Sequence, residues 1–334
     1  MPAPEARYDI VAVGNAIVDV ISQCDDDFLV EEQLTKGGMA LIDADRAKSL
    51  YDAMGPAREI SGGSAANTLA GASNLGCQCA FVGQVADDQL GEVFAHDIRS
   101  SGIDFDVAPF GKEPPTARSM ILVTPDAQRT MNTFLGASQY LPASAIDPAV
   151  IGSGTILYLE GYLWDPEDAR AAMRSAIDIA RSAERKIAFT LSDGFCVDRH
   201  RADFIALLEG GKIDILFANE QEIASLWESD DFDSSVARTA PMVEMLVVTR
   251  SEKGAIAVVE GHQYAVAAEP VAKIIDTTGA GDLFAAGFLA GVIEGRDAAM
   301  CLTMGAVAAA EVISHYGARP EADLRALVDK RLAD

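Results

Sequence analysis

Apolar residues in this chain collect into short runs separated by segments of helical character. Tyr8–Val13 (YDIVAV), Cys79–Val82, Thr155–Leu159, Lys186–Leu191, Ile213–Ala218, Met245–Thr249 and Ala255–Val259 read as strands buried on both faces. Between them, Ser64–Leu75, Gln89–Ser100, Pro166–Glu184, Arg201–Gly210 and Asn219–Trp227 read as helices. Strands bounded by helices along almost the whole length predict an α/β fold with a mostly parallel sheet covered on both sides. In such sheets the ligand crevice lies at the carboxyl ends of the strands.

Two stretches break this alternation. Ile17–Ile42 and Thr116–Phe134 contain strand-like runs without intervening helices (IVDVISQ, GMALID, ARSMILVT, RTMNTFL). They predict a small separate sheet, a lid formed by about 15–43 and 112–136 and inserted in a single domain spanning 1–334. Gly14, Gly37–Gly38 and Gly111 stand near its hinges. Extra edge strands on the main sheet are the competing reading, because periodicity alone does not separate the two. Val271–Ile275 (VAKII) reads as a further strand-like segment, and Glu228–Ser235 (ESDDFDSS) as an acidic surface loop.

Composition narrows the function classes. The 334 residues are 49% hydrophobic, enough for a core without disulfides or structural metals. The 26 Lys and Arg against 51 Asp and Glu give a formal net charge of -25. No basic run is present, which argues against nucleic acid or an anionic membrane as partner. An acidic protein can still hold a polyphosphate through a divalent cation, backbone N–H groups and a few placed cations. The five cysteines, Cys24, Cys77, Cys79, Cys196 and Cys301, contain no C-x-x-C pair, read as small core residues and fit a reducing compartment. The first residues lack the basic start and apolar core of a signal peptide, and no long uninterrupted apolar stretch follows. A soluble, cytoplasmic protein is expected.

The strongest chemical signal is DTTGAGD, Asp276–Asp282, directly before the apolar segment Leu283–Ile293. That segment is apolar nearly all round and predicts a buried helix. Glycines opening such a helix expose consecutive N–H groups that can cradle a phosphate at the positive end of the dipole. Asp282 in the first turn reads as a helix cap or as a base taking the proton of an attacking hydroxyl, while Gly279, Ala280 and Gly281 hold the transferring phosphoryl group. A second glycine-rich helix start, SGGSAAN at Ser61–Asn67, includes Gly63, Ser64 and Asn67 and reads as a capped turn or as a polyol contact. Asn15 and Asp19 follow the first strand, where a carboxylate can accept two vicinal hydroxyls or serve a turn. Asn219-Glu220-Gln221-Glu222 follows the strand DILFA; it suits a hydrated Mg²⁺ or simply a helix's first turn. Thr249–Gly254 (TRSEKG), with Ser251 inside it, reads as a hairpin turn or as a border for nucleotide phosphates. Arg129 is a cation in a lid-like strand, either solvated or able to reach a phosphate.

Together, GGSAAN near the start and DTTGAGD near the end resemble the two signatures of the ribokinase-like (PfkB) carbohydrate kinase family, and N-x-x-E at Asn219–Glu222 resembles a third. The resemblance spans the entire chain. It implies a Rossmann-like αβα sandwich with a small β lid, ATP as donor and dependence on Mg²⁺. By position it implies Asp282 as catalytic base and Gly279–Gly281 as anion hole. Asn15, Asp19, Gly63, Ser64 and Asn67 would bind the acceptor. Asn219 and Glu222 would organise Mg²⁺ through water, and Thr249, Ser251, Gly254 and Thr278 would border ATP. GNAIVD, YLEGYLWD, LSDGFCVDRHR, DILFANEQE, IIDTTGAGD and RTMNTFLG are most similar to the adenosine kinase branch. There Tyr162 would stack on a purine, Leu135 would line the same pocket and Arg129 would contact phosphate. Thr278 departs from an Asn common in that branch and gives the DTTGAGD form shared with sugar kinases. The resemblance also raises activation by K⁺ through the loop beginning near Asp276.

The expected function is therefore ATP-dependent phosphorylation of a nucleoside's primary hydroxyl, adenosine first. A ribokinase- or fructokinase-type sugar kinase is the alternative. A ligand-binding regulator without catalysis would not need a base at Asp282. An NAD-dependent dehydrogenase fits poorly, since the first strand ends in VAVGNAIVD without G-x-G-x-x-G. A monomer or a homodimer paired through its lids is compatible with the sequence.

Overall fold

The computed structural model describes residues 6–126 and 128–333. Its main sheet has nine strands. In spatial order they are His262–Val266, Ala255–Val259, Met245–Thr249, Ile215–Asn219, Lys186–Thr190, Gly154–Glu160, Tyr8–Val13, Cys79–Val82 and Ile103–Asp104. The seven from Met245–Thr249 onward pair in parallel, and the first two add an antiparallel edge. The strand period of two sorts side chains to opposite faces. Ile10 and Ala12 enter one core and Val11 and Val13 the other. Helices Ser64–Asn74, Ala280–Ile293 and Ala298–Val312 cover the first core, and Glu167–Ser182 and Gly194–Glu209 cover the second. No helix among the described residues is long and apolar enough to cross a membrane.

A second sheet of five strands stands apart, in the order Met39–Leu41, Arg129–Phe134, Ala117–Val123, Ile17–Gln23, Ala57–Gly62. The reading as extra edge strands of the main sheet is thus corrected. Four of its strands lie in the two segments expected, and Ala57–Gly62 joins from outside them. Its antiparallel pairing to Ile17–Gln23 was hidden because AREISG carries little apolar character. One face of this sheet packs Met120, Leu122 and Phe134 against Leu29, Ala47 and Leu50.

Three further expectations need correction. A helix, Asp26–Glu31, interrupts the strand-like stretch Ile17–Ile42. It is too short to show a period, and Asp25 starts it by accepting from Phe28 N at 2.9 Å. The acidic segment Glu228–Ser235 is half helix: Phe232–Thr239 begins on Asp231 and buries Val236 and Thr239. Val271–Ile275 forms no strand; Ile274 is exposed, and Ile275 N donates to Ile313 O at 2.8 Å, tying the segment to a helix end.

The helix Ala280–Ile293 is enclosed, with every residue from Leu283 to Gly291 buried. Its small residues permit this. A Cβ on Gly287 would drive into the Met304 carbonyl, and one on Gly71 would lie 2.7 Å from the Ala286 methyl. Backbones that touch so closely cannot accept added volume without moving apart. Replacing Gly287 with Val is expected to lower stability by about 1–3 kcal/mol, measured as a fall in the urea midpoint at constant slope.

Candidate active site

A cleft of about 540 Å³ opens between the two sheets, within the usual range for a small-molecule site. Its floor comes from residues at or just past the carboxyl ends of the main strands: Asn15, Glu160, Thr190, Asn219 and Thr249. The small sheet supplies the opposite wall.

At the centre, Asp282 sits in the first turn of Ala280–Ile293. Its Oδ1 accepts from Ser64 Oγ at 2.7 Å, and its Oδ2 from Asn67 Nδ2 at 3.0 Å. Burial raises its pKa, opposed by these two bonds and by the charge of Arg319. Gly279 adopts φ +77°, which a residue with a side chain would resist. No side chain caps the helix, and a Cβ on Gly281 would meet nothing within 4 Å. Uncapped N–H groups beside open space fit a phosphoryl group. Asn67 adds a buried Oδ1 without a hydrogen-bond partner among the described residues, an acceptor fit for a ligand hydroxyl.

Glu160 organises the floor. Fully buried at the end of its strand, it accepts from Asn15 N, Asn15 Nδ2 and Ala65 N, each at 2.7 Å. It thereby joins the Asn15 turn to the start of the Ser64–Asn74 helix. Gly14 has no space for a side chain, since a Cβ there would stand 2.5 Å from the Ala65 methyl. Asn219 and Glu222 form a reciprocal capping box: Glu222 N donates to Asn219 Oδ1 at 2.8 Å, and Asn219 N donates back to Glu222 Oε2 at 3.0 Å. On the small-sheet side, Arg129 Nε pairs with Asp276 Oδ1 at 2.7 Å, and its Nη2 donates to Thr277 Oγ1 at 2.8 Å. Asp276 Oδ1 also accepts from Thr278 N and Oγ1, and Oδ2 from Gly317 N. Three donors thus meet Oδ1 and one meets Oδ2.

The pfkB family carbohydrate kinase profile matches residues 31–324. The chain belongs to the PfkB carbohydrate kinase family. It is 48% identical to a probable sugar kinase protein from Rhizobium etli CFN 42, with a TM-score of 0.92 over 98% of this chain and 99% of the other. It is equally 48% identical to the adenosine kinase from Sinorhizobium meliloti, with a TM-score of 0.92 over 98% of this chain and all (100%) of that one. A 5-dehydro-2-deoxygluconokinase from Bacillus velezensis is 24% identical over 93% of this chain and 90% of its own length. The kinase is accordingly an ATP-dependent phosphotransferase, and the ribokinase-like fold with its small second sheet is established.

Most residues singled out in the sequence of this PfkB kinase converge on the cleft. Asn15, Asp19, Gly63, Ser64, Asn67, Leu135, Tyr162, Asn219, Glu222, Thr249, Thr278, Gly279, Ala280, Gly281 and Asp282 all line it. Arg129 and Asp276 lie behind Thr277, bonded to each other. Ser251 and Gly254 are outside the lining; a Cβ on Gly254 would strike the Val266 carbonyl, so its φ of +85° serves the hairpin. Sequence reasoning missed Glu160, Phe195, Met39 and Leu41, all of which line the cleft. A glutamate closing the apolar run TILYLE was a usable signal. For Phe195, Met39 and Leu41 no local pattern marked them.

Burial pushes three cleft carboxyls up to about 7: Asp19, Glu160 and Glu222. An unfolded carboxyl titrates near ~4, so between these values the folded chain binds more protons than the unfolded one. Stability therefore falls as pH rises through this window. The free kinase is expected to melt at a higher temperature at about pH 6 than at about pH 8. Asp19→Asn should reduce that difference, checked by calorimetry of both proteins.

Proposed function

We propose that this kinase transfers the γ-phosphoryl group of ATP to the primary hydroxyl of a nucleoside, adenosine before others, giving the 5′-monophosphate. One observation carries the choice of a nucleoside over a free sugar. Beside the polar residues Asn15, Asp19 and Asn67, the cleft is lined by apolar side chains, Met39, Leu41 and Leu135 from the small-sheet side and Tyr162 and Phe195 from the main-sheet side. Leu41 and Phe195 are 54% and 71% exposed in the free protein. A ribose satisfies only the polar residues; a purine also covers the apolar side chains and stacks on the rings. Tyr162 is held in place by its hydroxyl, which donates to Ser192 O at 3.2 Å.

In this reading Asp19 accepts from the ribose hydroxyls, and the open Oδ1 of Asn67 takes another. Asn15, Gly63 and Ser64 complete the ribose side. Asp282 removes the proton of the attacking hydroxyl; the new O–P bond forms as the bond to ADP breaks, and ADP departs. Amides at Gly279–Gly281 receive the charge on the phosphoryl oxygens, with Arg129 as a cation near the same phosphate. Thr249, Thr278 and Asn219 border ATP, with Ser251 and Gly254 farther out. Mg²⁺, when bound with ATP, supplies neutralisation of phosphate charge. Asn219 and Glu222 would hold it through water, because their direct bonds are spent on each other.

Steady-state kinetics with ATP–Mg²⁺ and adenosine, inosine, ribose and fructose test the acceptor. Adenosine is expected to exceed the free sugars in kcat/KM by about tenfold or more. A preference for ribose or fructose of that size would establish the sugar kinase reading, which the DTTGAGD form with Thr278 favours. Phe195→Ala should cut kcat/KM for adenosine by about tenfold, the scale of one lost stacking contact, and change that for ribose far less. Asp282→Asn is expected to lower kcat by about 10³-fold or more while acceptor binding persists in calorimetric titration.

A further inference from the structure

Three consecutive residues near the end of the chain touch separate parts of the site. Gly317 N donates to Asp276 Oδ2 at 3.0 Å. Ala318 is buried against Gly279, so close that a Cβ on the glycine would stand 2.7 Å from the Ala318 methyl. Arg319 reaches the other way. Its Nε donates to Ser61 O at 3.0 Å, Nη1 to Ala66 O at 3.0 Å and Nη2 to Ser61 Oγ at 3.1 Å. These acceptors flank Gly63 and Ser64 and directly precede Asn67. Ser64 and Asn67 are the two side chains that hold Asp282.

A guanidinium enclosed in protein ordinarily finds a carboxylate. Among the described residues Arg319 makes no ion pair; its fork is spent on two carbonyls and a hydroxyl. Its charge acts at longer range on Asp19, Asp97 and Asp282. The charge of Asp282 in turn acts on Asp19, Glu160 and Glu222. Burial lowers the Arg319 pKa to about 10, so the group is cationic at neutral pH.

We propose that Arg319 is a positioning residue for phosphoryl transfer: its fork fixes the Ser61–Asn67 loop against the Asp276–Asp282 loop, and its charge favours the ionised carboxylate of Asp282. The inference rests on Asp282 being the base. Misplacing a reacting group by about an ångström costs on the order of 10²-fold in rate, which sets the scale for the fork. Removing the charge raises the Asp282 pKa, so the ionised base appears only at higher pH.

The test compares Arg319→Met, Arg319→Lys and Asp282→Asn with the unaltered kinase, using ATP–Mg²⁺ and adenosine, or the best acceptor of the screen. Arg319→Met is expected to lower kcat per folded molecule by about 10–100-fold and to move the acid limb of kcat/KM to higher pH. Arg319→Lys keeps a cation without the fork. It should leave the acid limb in place yet still lose about tenfold in kcat. A side chain that only supports the fold would lower the melting temperature and the folded fraction without moving that limb. A folded Arg319→Met protein with kcat within about twofold of normal and an unmoved limb overturns the proposal. If Arg319→Met does not fold, normal kcat in Arg319→Lys overturns it, and the tenfold loss supports it. Turnover retained in Asp282→Asn would instead remove the base assignment; an inactive Asp282→Asn beside normal Arg319 variants removes this inference alone.

Discussion

The site depends on a single junction, where the start of one buried helix meets the start of another. Ser64 and Asn67, from the first turn of Ser64–Asn74, close on the carboxylate of Asp282, in the first turn of Ala280–Ile293. The two helices approach this closely because Gly71 offers no side chain to Leu283 and Ala286. Both helix dipoles present their positive ends to the same carboxylate. That favours its charge in a place where burial opposes it.

The two starts are treated differently. At Ser64–Asn74 the buried first-turn amide of Ala65 is satisfied by Glu160, distant in sequence. At Ala280–Ile293 no side chain serves as cap, which forgoes about 1 kcal/mol of helix stability and leaves amides for an anion. A third helix, Glu220–Trp227, is closed by the reciprocal bonds of Asn219 and Glu222. Of these three helix ends around one cleft, the one that bears Asp282 is thus left without a side-chain partner.

Legibility in the sequence follows from how local each feature is. The strands Met245–Thr249, Ala255–Val259 and Cys79–Val82 appear with the bounds read from apolar runs, because a strand buried on both faces needs little but such a run. The glycines of DTTGAGD marked an uncapped helix start, since the positive φ of Gly279 is a local demand. Glu160 was less visible: its importance comes from Asn15 and Ala65, distant in sequence. Phe195, Met39 and Leu41 look like ordinary apolar residues, and only the tertiary fold turns them toward one space. Asp26–Glu31 and Phe232–Thr239 were missed as helices because each is short and starts in a charged stretch that reads as loop.

The strand Ala57–Gly62 carries a mechanical consequence. It forms one edge of the small sheet and runs through Gly63 straight into the helix that bears Ser64 and Asn67. Gly63 sits at φ +95°, and a Cβ there would stand 2.3 Å from the Asn15 carbonyl oxygen. The small sheet and the groups gripping Asp282 are therefore one continuous stretch of backbone, with Gly63 alone between strand and helix. Sheet edge and carboxylate grip share one covalent path.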